Sequence, residues 1–297
     1  MATRRSPLLA LLLVLGVLGC EAQFDETFVI QELSIIGVQT AVQSGDREYA
    51  ELVISTNALR MMNQMPALPQ VIIRVLAVQP EAAGGQDAIE RYHWAIGDPP
   101  MEGVPSVVTT IPEVVIEHGS VIPALAAVIT DGEELTPQAL ADRLDEGPIL
   151  VPVVVTVIAG EDSAKAVKMF TIRAQVDPED EPNRNPLPEG LTMGDVEWSE
   201  EFFEVIGAQP SGPHDIQRND EVVFDVDPDD PGDDDGDVET TLYVTGGTIG
   251  WSPDSMRVWV QQTPGEDYEP DQLRVFLTLR DPQGGQGWFT ILQDLGP

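Results

Sequence analysis

The sequence predicts an all-β protein: two antiparallel β-sandwiches in tandem, with one short helix inserted. Three observations carry this. Short runs rich in Val, Ile, Thr and aromatic residues recur along the chain, separated by clusters of Gly, Pro and Asp. Where alternation is clean it has period two: Leu273, Val275, Leu277 and Leu279 share one strand face, and Arg274, Thr278 and Arg280 the other. Between Asp177 and Pro188, prolines and acids alternate so densely that no ladder can continue, which marks an extended connector.

Taken in order, the first body should run over 28–176. Its candidate strands are Phe28–Val38, Tyr49–Ser55, Val71–Val78, Arg91–Ile96, Val121–Ile129, Val151–Ile158 and Ala166–Ala174. Val121–Ile129 is read as a strand from its β-branched content. Val151–Ile158 is apolar at nearly every position, as a central strand covered on both sides would be. The helix is expected near 137–146. There Thr136 can cap, Pro137 suits the first turn, Leu140 and Leu144 form an i,i+4 stripe, and Gly147 can stop it. A shorter helical turn is expected over Asn57–Met65, ended by Pro66. Its Met61, Met62 and Met65 would plug a core edge or form an adaptable surface. After the 177–188 connector, a second body over 189–297 should use Glu221–Val226, Thr240–Thr245, Arg257–Gln261, Leu273–Arg280 and Trp288–Leu292.

The N-terminus carries an address. Arg4 and Arg5 precede an apolar run from Leu8 to Leu18, too short for a helix to cross a bilayer core of about 30 Å. It therefore reads as the core of a signal peptide. Val17-Leu18-Gly19-Cys20 resembles the lipobox of bacterial lipoproteins. That resemblance implies removal of residues 1–19, lipidation of Cys20 with a short tether over 20–27, and attachment to a bacterial cell-envelope membrane. Glu21, in place of the Asp of an inner-membrane retention signal, favours the outer membrane. Cys20 is the only cysteine, which excludes an intrachain disulfide and a thiolate metal site.

Two motifs at the ends of the second body point to a family. Asn183-Arg184-Asn185-Pro186 before Gly190-Leu191 resembles the opening of bacterial immunoglobulin-like repeats. Asp281-Pro282-Gln283-Gly284-Gly285 before Trp288-Phe289-Thr290-Ile291 resembles their closing hairpin. The spacing between the motifs is about the ~100 residues of such a sandwich. The resemblance implies tandem immunoglobulin-like sandwiches for the whole chain and no particular ligand. The chain as a whole resembles surface lipoproteins of predatory or social Gram-negative bacteria.

Charge narrows the function. The chain has 51 Asp+Glu against 15 Lys+Arg, a formal net charge of −36, and its only lysines are Lys165 and Lys168. That excludes binding to nucleic acid or anionic lipid through a basic patch. His93, His118 and His214 stand far apart, and no serine elbow, paired-histidine zinc motif or phosphate loop is present. The expected role is non-catalytic binding or structure in the envelope, the partner being an envelope protein or a polysaccharide. One alternative is a calcium-dependent adhesion module: Asp225, Asp227, Asp229, Asp233, Asp235, Asp237 and Glu239 crowd one acidic segment with glycine turns, which divalent cations would relieve. The segment does not follow the EF-hand spacing. The other alternative is an enzyme whose site assembles only in three dimensions. Trp251, in an expected Gly250–Pro253 turn, and Tyr268 are the candidate exposed contact aromatics.

Overall fold

The computed structural model describes residues 30, 32–45, 47–80, 88–101, 104, 106–130, 134–176, 181–193, 196–198, 216–217, 221–229, 238–244, 248–252, 255–259 and 272–296. From residue 187 onward, side chains are described at 238–244, 275–288 and 290.

The first half supplies β1 (Ser34–Ser44), β2 (Arg47–Tyr49), β3 (Leu52–Ile54), β4 (Val71–Val78), β5 (Arg91–Ile96), β6 (Val107–Thr109), β7 (Glu113–Ile116), β8 (Ile149–Ala159) and β9 (Asp162–Ala174). They form two sheets, ordered β2-β1-β4-β7 and β3-β9-β8-β5-β6. Only β3 runs parallel to its neighbour, β9; the other pairs are antiparallel. Alternation sorts the side chains. Val151, Val153, Val155 and Val157 of β8 bury against Val71, Ile73 and Val75 of β4 in one core. The opposite alternation of β8 is apolar but not covered: Leu150 is 47% exposed. The expectation of a strand covered on both sides therefore fails on one face.

Three helices join these strands: α1 (Thr56–Arg60), α2 (His118–Ile129) and α3 (Pro137–Asp145). α3 matches its expectation, with the Thr136 hydroxyl accepting from the Ala139 N–H and Leu140 and Leu144 buried. α2 corrects the strand expected over Val121–Ile129. Its Val121, Ala124 and Leu125 are buried and Val128 packs on the same core, the i, i+3, i+4, i+7 spacing of a helix face. The β-branched residues at both ends of this run obscured that period.

The second half supplies β10 (Leu187–Met193), β11 (Val196–Trp198), β12 (Ile216–Gln217), β13 (Glu221–Asp229), β14 (Glu239–Val244), β15 (Thr248–Ser252), β16 (Ser255–Trp259), β17 (Gln272–Arg280) and β18 (Gln286–Gly296). Its sheets are ordered β11-β10-β13-β16-β15 and β12-β18-β17-β14. With β10 lettered A, β12 A′, β13 B, β14 C, β15 D, β16 E, β17 F and β18 G, these are A-B-E-D facing A′-G-F-C. That is the immunoglobulin arrangement. The first half repeats it as A-B-E (β1, β4, β7) facing A′-G-F-C-C′ (β3, β9, β8, β5, β6). The chain is thus all-β, two immunoglobulin-like antiparallel sandwiches in tandem.

The repeat extends to a defect. The β1–β4 ladder slips by one residue between Ile35 and Gly37, and the β10–β13 ladder slips between Pro188 and Gly190. Both A strands carry this bulge at their third residue, just before a glycine.

Candidate functional site

The first polar constellation that the fold builds joins the two halves. The Val38 N–H of β1 donates to Gln286 Oε1 at 3.1 Å. Gln39 Nε2 donates to the Gln286 carbonyl at 2.8 Å, and the Gln286 N–H donates to Asn185 Oδ1 at 2.9 Å. Asn185 Nδ2 returns to the Thr40 carbonyl at 2.9 Å. One residue pair back, Glu51 accepts from the Asn183 N–H at 2.9 Å and from Arg173 Nε at 2.8 Å. Asn183 Nδ2 reaches Asp281 Oδ2 at 3.1 Å, while the other Asp281 oxygen accepts from the Gly285 N–H at 2.9 Å. The described part of the 177–188 run is therefore clamped between the halves. Asn183 itself is 3% exposed.

The glycines of the closing hairpin follow from this clamp. Gly284 has φ +96°, a turn requirement. Gly285 and Gly287 answer to close approach: a Cβ would lie 1.9 Å from Asp281 Oδ2 at the first and 2.0 Å from the Pro186 carbonyl oxygen at the second. A Cβ on Gly37 would meet the Trp288 ring at 3.0 Å. Beside the clamp, Ile30, Ile36 and Val78 bury with Phe276 in a cluster that Leu76 and Tyr243 flank. Lys168 Nζ donates to the Gly284 carbonyl. Burial, with Arg280 close by, lowers the Lys168 ammonium to about 8, against a smaller opposing effect of Asp281. These polar groups hold one another, so their chemistry is structural.

Two surfaces remain. A cleft of about 600 Å³ lies beside α1, lined by Tyr49, Leu52, Leu59, Met62 and Leu68 among others. Met62 is at its wall, Met61 stands 81% exposed, and Met65 packs on the core, so the three methionines do not form one surface.

The other surface is the outward face of β5, β8 and β9, with β6 at its edge. Val108, Leu150, Val167 and Met169 are 57%, 47%, 50% and 46% exposed, and Val154 is buried among them. Val167 pairs with Val154, and Met169 with Pro152, in the β8–β9 register. The charged residues at outward positions of these strands are Arg91, Lys165 and Arg173; none is acidic. An acid meets the face from its rim, Asp98, 2.5 Å from Lys165 Nζ. His93 also sits here, half-buried, its Nε2 without a hydrogen-bond partner among the described residues. Sequence reading missed this face. The available signal was the apolar content of both alternations in 150–158, together with acid-free alternate positions over 163–173.

The residues singled out in the sequence do not converge. Cys20, Asp233, Asp235, Asp237 and Tyr268 lie outside the described residues. Asp225, Asp227 and Asp229 occupy alternate positions of β13, hydrogen-bonded as a ladder to β10 and not in a loop. Glu239 opens β14, exposed, opposite Arg280. Trp251 falls inside β15 opposite Met256, which corrects the turn expected there: the hairpin closes one residue later, at the Ser252–Ser255 pair. Among the described residues, no group of three or more His, Cys, Asp or Glu is placed to hold a metal ion.

No family model and no curated protein matches this chain. Among solved structures it is similar to the N-terminal Ig1-2 module of the Drosophila receptor protein tyrosine phosphatase DLAR. Identity is 10%, over 90% of this chain and 100% of that one, with a TM-score of 0.26. A chimeric titin Z1Z2-Z1Z2 tandem matches at 9% identity, 89% and 100% coverage and a TM-score of 0.24. Drosophila N-cadherin EC1-4 matches at 13% identity, with 83% of this chain, 47% of that one and a TM-score of 0.22. The immunoglobulin-like assignment rests on strand order.

Proposed function

We propose that this chain is a lipid-anchored cell-envelope protein with a non-catalytic binding or structural role. The observation that carries the reading is the outward face of β5, β8 and β9. On a chain of net charge −36, the outward positions of these three strands carry no acidic residue, and Val108, Leu150, Val167 and Met169 on this face are about half exposed. Keeping such a patch in water costs solubility, and a surface of this kind marks an interaction site. The clamp between the halves presents it from a rigid base. Cys20, through the lipobox resemblance, supplies the tether, and Glu21 favours the outer membrane.

Fractionation of cells expressing the wild-type chain and Cys20→Ser tests the anchor. The wild type is expected with membranes and the variant in the soluble fraction; a variant that stays membrane-bound overturns it. For the role, Met169→Glu is expected to abolish chemical cross-linking of the chain on intact envelopes without lowering its Tm. Unchanged cross-linking overturns the choice of face.

A further inference from the structure

We propose that the cleft beside α1 is a binding site for a small apolar amine, an organic cation whose ammonium is held by Glu51 and whose carbon skeleton fills the remaining space. The cleft measures about 600 Å³, within the roughly 300–1,000 Å³ of small-molecule sites. Much of its lining belongs to the core, since Leu52, Leu59 and Leu68 are all buried. α1 ends at Arg60, and the chain returns to β4 through Pro66 and Pro69, which line the cleft with their φ angles fixed. The walls are thus set by the packing of the first half.

Glu51 decides the chemistry of the ligand. Among the described residues that line the cleft, it alone is charged. Its side chain is 9% exposed, so the carboxylate has given up most of its water. Both of its hydrogen bonds end on one oxygen: Arg173 Nε donates to Oε1 at 2.8 Å and the Asn183 N–H at 2.9 Å. Oε2 accepts none among the described residues, and it is not sealed from solvent. A carboxylate has about four acceptor sites, and a largely buried one with an unused oxygen calls for a further donor. An ammonium brings three N–H donors to one point and makes the stronger, charge-assisted kind of bond. Arg173 approaches at Oε1, which leaves Oε2 to the ligand. The Ser55 hydroxyl, on the same wall, is already used in capping α1, where it accepts from the Ala58 N–H at 3.4 Å.

Charge also rejects the opposite amphiphile. A fatty acid or similar apolar carboxylate would set its anion against Glu51 on a chain of net charge −36, whereas a cation is drawn towards both. Pro182 lines the cleft beside the Asn183 that Glu51 holds, so the ligand would touch the connector as well. The inference goes beyond the proposed role. The cleft shares none of the exposed apolar residues of the β5, β8 and β9 face, and it does not depend on the lipid anchor.

The test is isothermal titration calorimetry at neutral pH on the full chain carrying Cys20→Ser, with two probes of matched skeleton, 4-phenylbutylamine and 4-phenylbutyrate. The amine is expected to saturate one site, and the carboxylate to bind about tenfold or more weakly. Glu51→Gln keeps an acceptor for the Asn183 N–H and is expected to remove the difference between the probes. Met62→Trp leaves Glu51 in place. Met62 stands at the cleft wall, 43% exposed, so the larger ring should fill the space and abolish amine binding. An unchanged Tm of this variant excludes misfolding as the cause. If Glu51→Gln fails to fold, the paired probes and Met62→Trp still decide. Three results overturn the proposal: no saturable binding of the amine, equal binding of the two probes, or amine binding that survives Met62→Trp. Met169→Glu, on the outward face, should leave amine binding unchanged; a loss there would place the site on the wrong surface and overturn it too.

Discussion

The two halves share a strand order and a bulge, yet the residues at matching positions of their A and B strands differ in kind. In the first half, Ile36, Leu76 and Val78 stand at positions that the second half fills with Glu189, Asp227 and Asp229. Ile36 and Val78 are buried with Phe276, and half-buried Leu76 and Tyr243 flank them. The acids stand at the corresponding register positions of β10 and β13. The lesson is that the repeat is one of backbone, while the residues written at matching strand positions differ between the halves. Arg74 shows the same logic. In the first half it is held by Glu48 at 2.7 Å and Glu113 at 3.0 Å, whereas the second half has Asp225 at that position.

The most direct way to break this comparison is to write the acids of the second half into the first. Leu76→Asp with Val78→Asp would bury two carboxylates against Phe276, at a cost of more than about 4 kcal/mol. Scanning calorimetry should then resolve two transitions in place of one; a single unshifted transition would show that the halves are not coupled through this cluster. Gly287→Ala comes next. Its Cβ would fall 2.0 Å from a backbone oxygen that cannot rotate away, so a loss of about 3 kcal/mol is expected by chemical denaturation.

Gln286→Ala is smaller, about 2 kcal/mol, because it leaves the buried Val38 N–H without its acceptor. Native-state hydrogen exchange at Val38 should accelerate with it, which a merely local loss at Gln286 would not produce.

The smallest effect has the opposite sign. Lys168→Met removes a desolvated ammonium and is expected to stabilise by about 1 kcal/mol at neutral pH. Between about 8 and 10.5 the unfolded chain holds a proton on Lys168 that the folded chain has released, so this group adds stability as pH rises through that window. The pH dependence of stability over that range should flatten in the variant; an unchanged slope would remove the assignment to Lys168.

Much of the fold was legible because local chemistry and burial agree. β4 and β5 run over Val71–Val78 and Arg91–Ile96 as expected, and α3 was marked by Thr136, Pro137 and its leucine stripe. α2 was misread because Val121, Ile122, Val128 and Ile129 favour a strand by propensity, and only packing on the core selects the helical period. The glycines at 285 and 287 looked like turn residues. A further cause, the approach of the Arg184 and Pro186 carbonyls, involves a segment about a hundred residues away that no local pattern connects.

By itself, the sequence determined the all-β class, the alternation of each clean strand, the capped helix and the acidity that excludes a basic nucleic-acid surface, and it carries the lipobox resemblance at Cys20 from which an anchor is proposed. These are properties of short windows, set by backbone propensity and side-chain period. The tertiary structure alone decided that the motifs at 183–186 and 281–288 close on each other, and that Gln286 accepts from a backbone N–H of β1 248 residues away. It also decided which apolar strand face is covered and which stays in water. Those outcomes depend on long-range pairing, where a free surface and a buried one can be written in nearly the same residues.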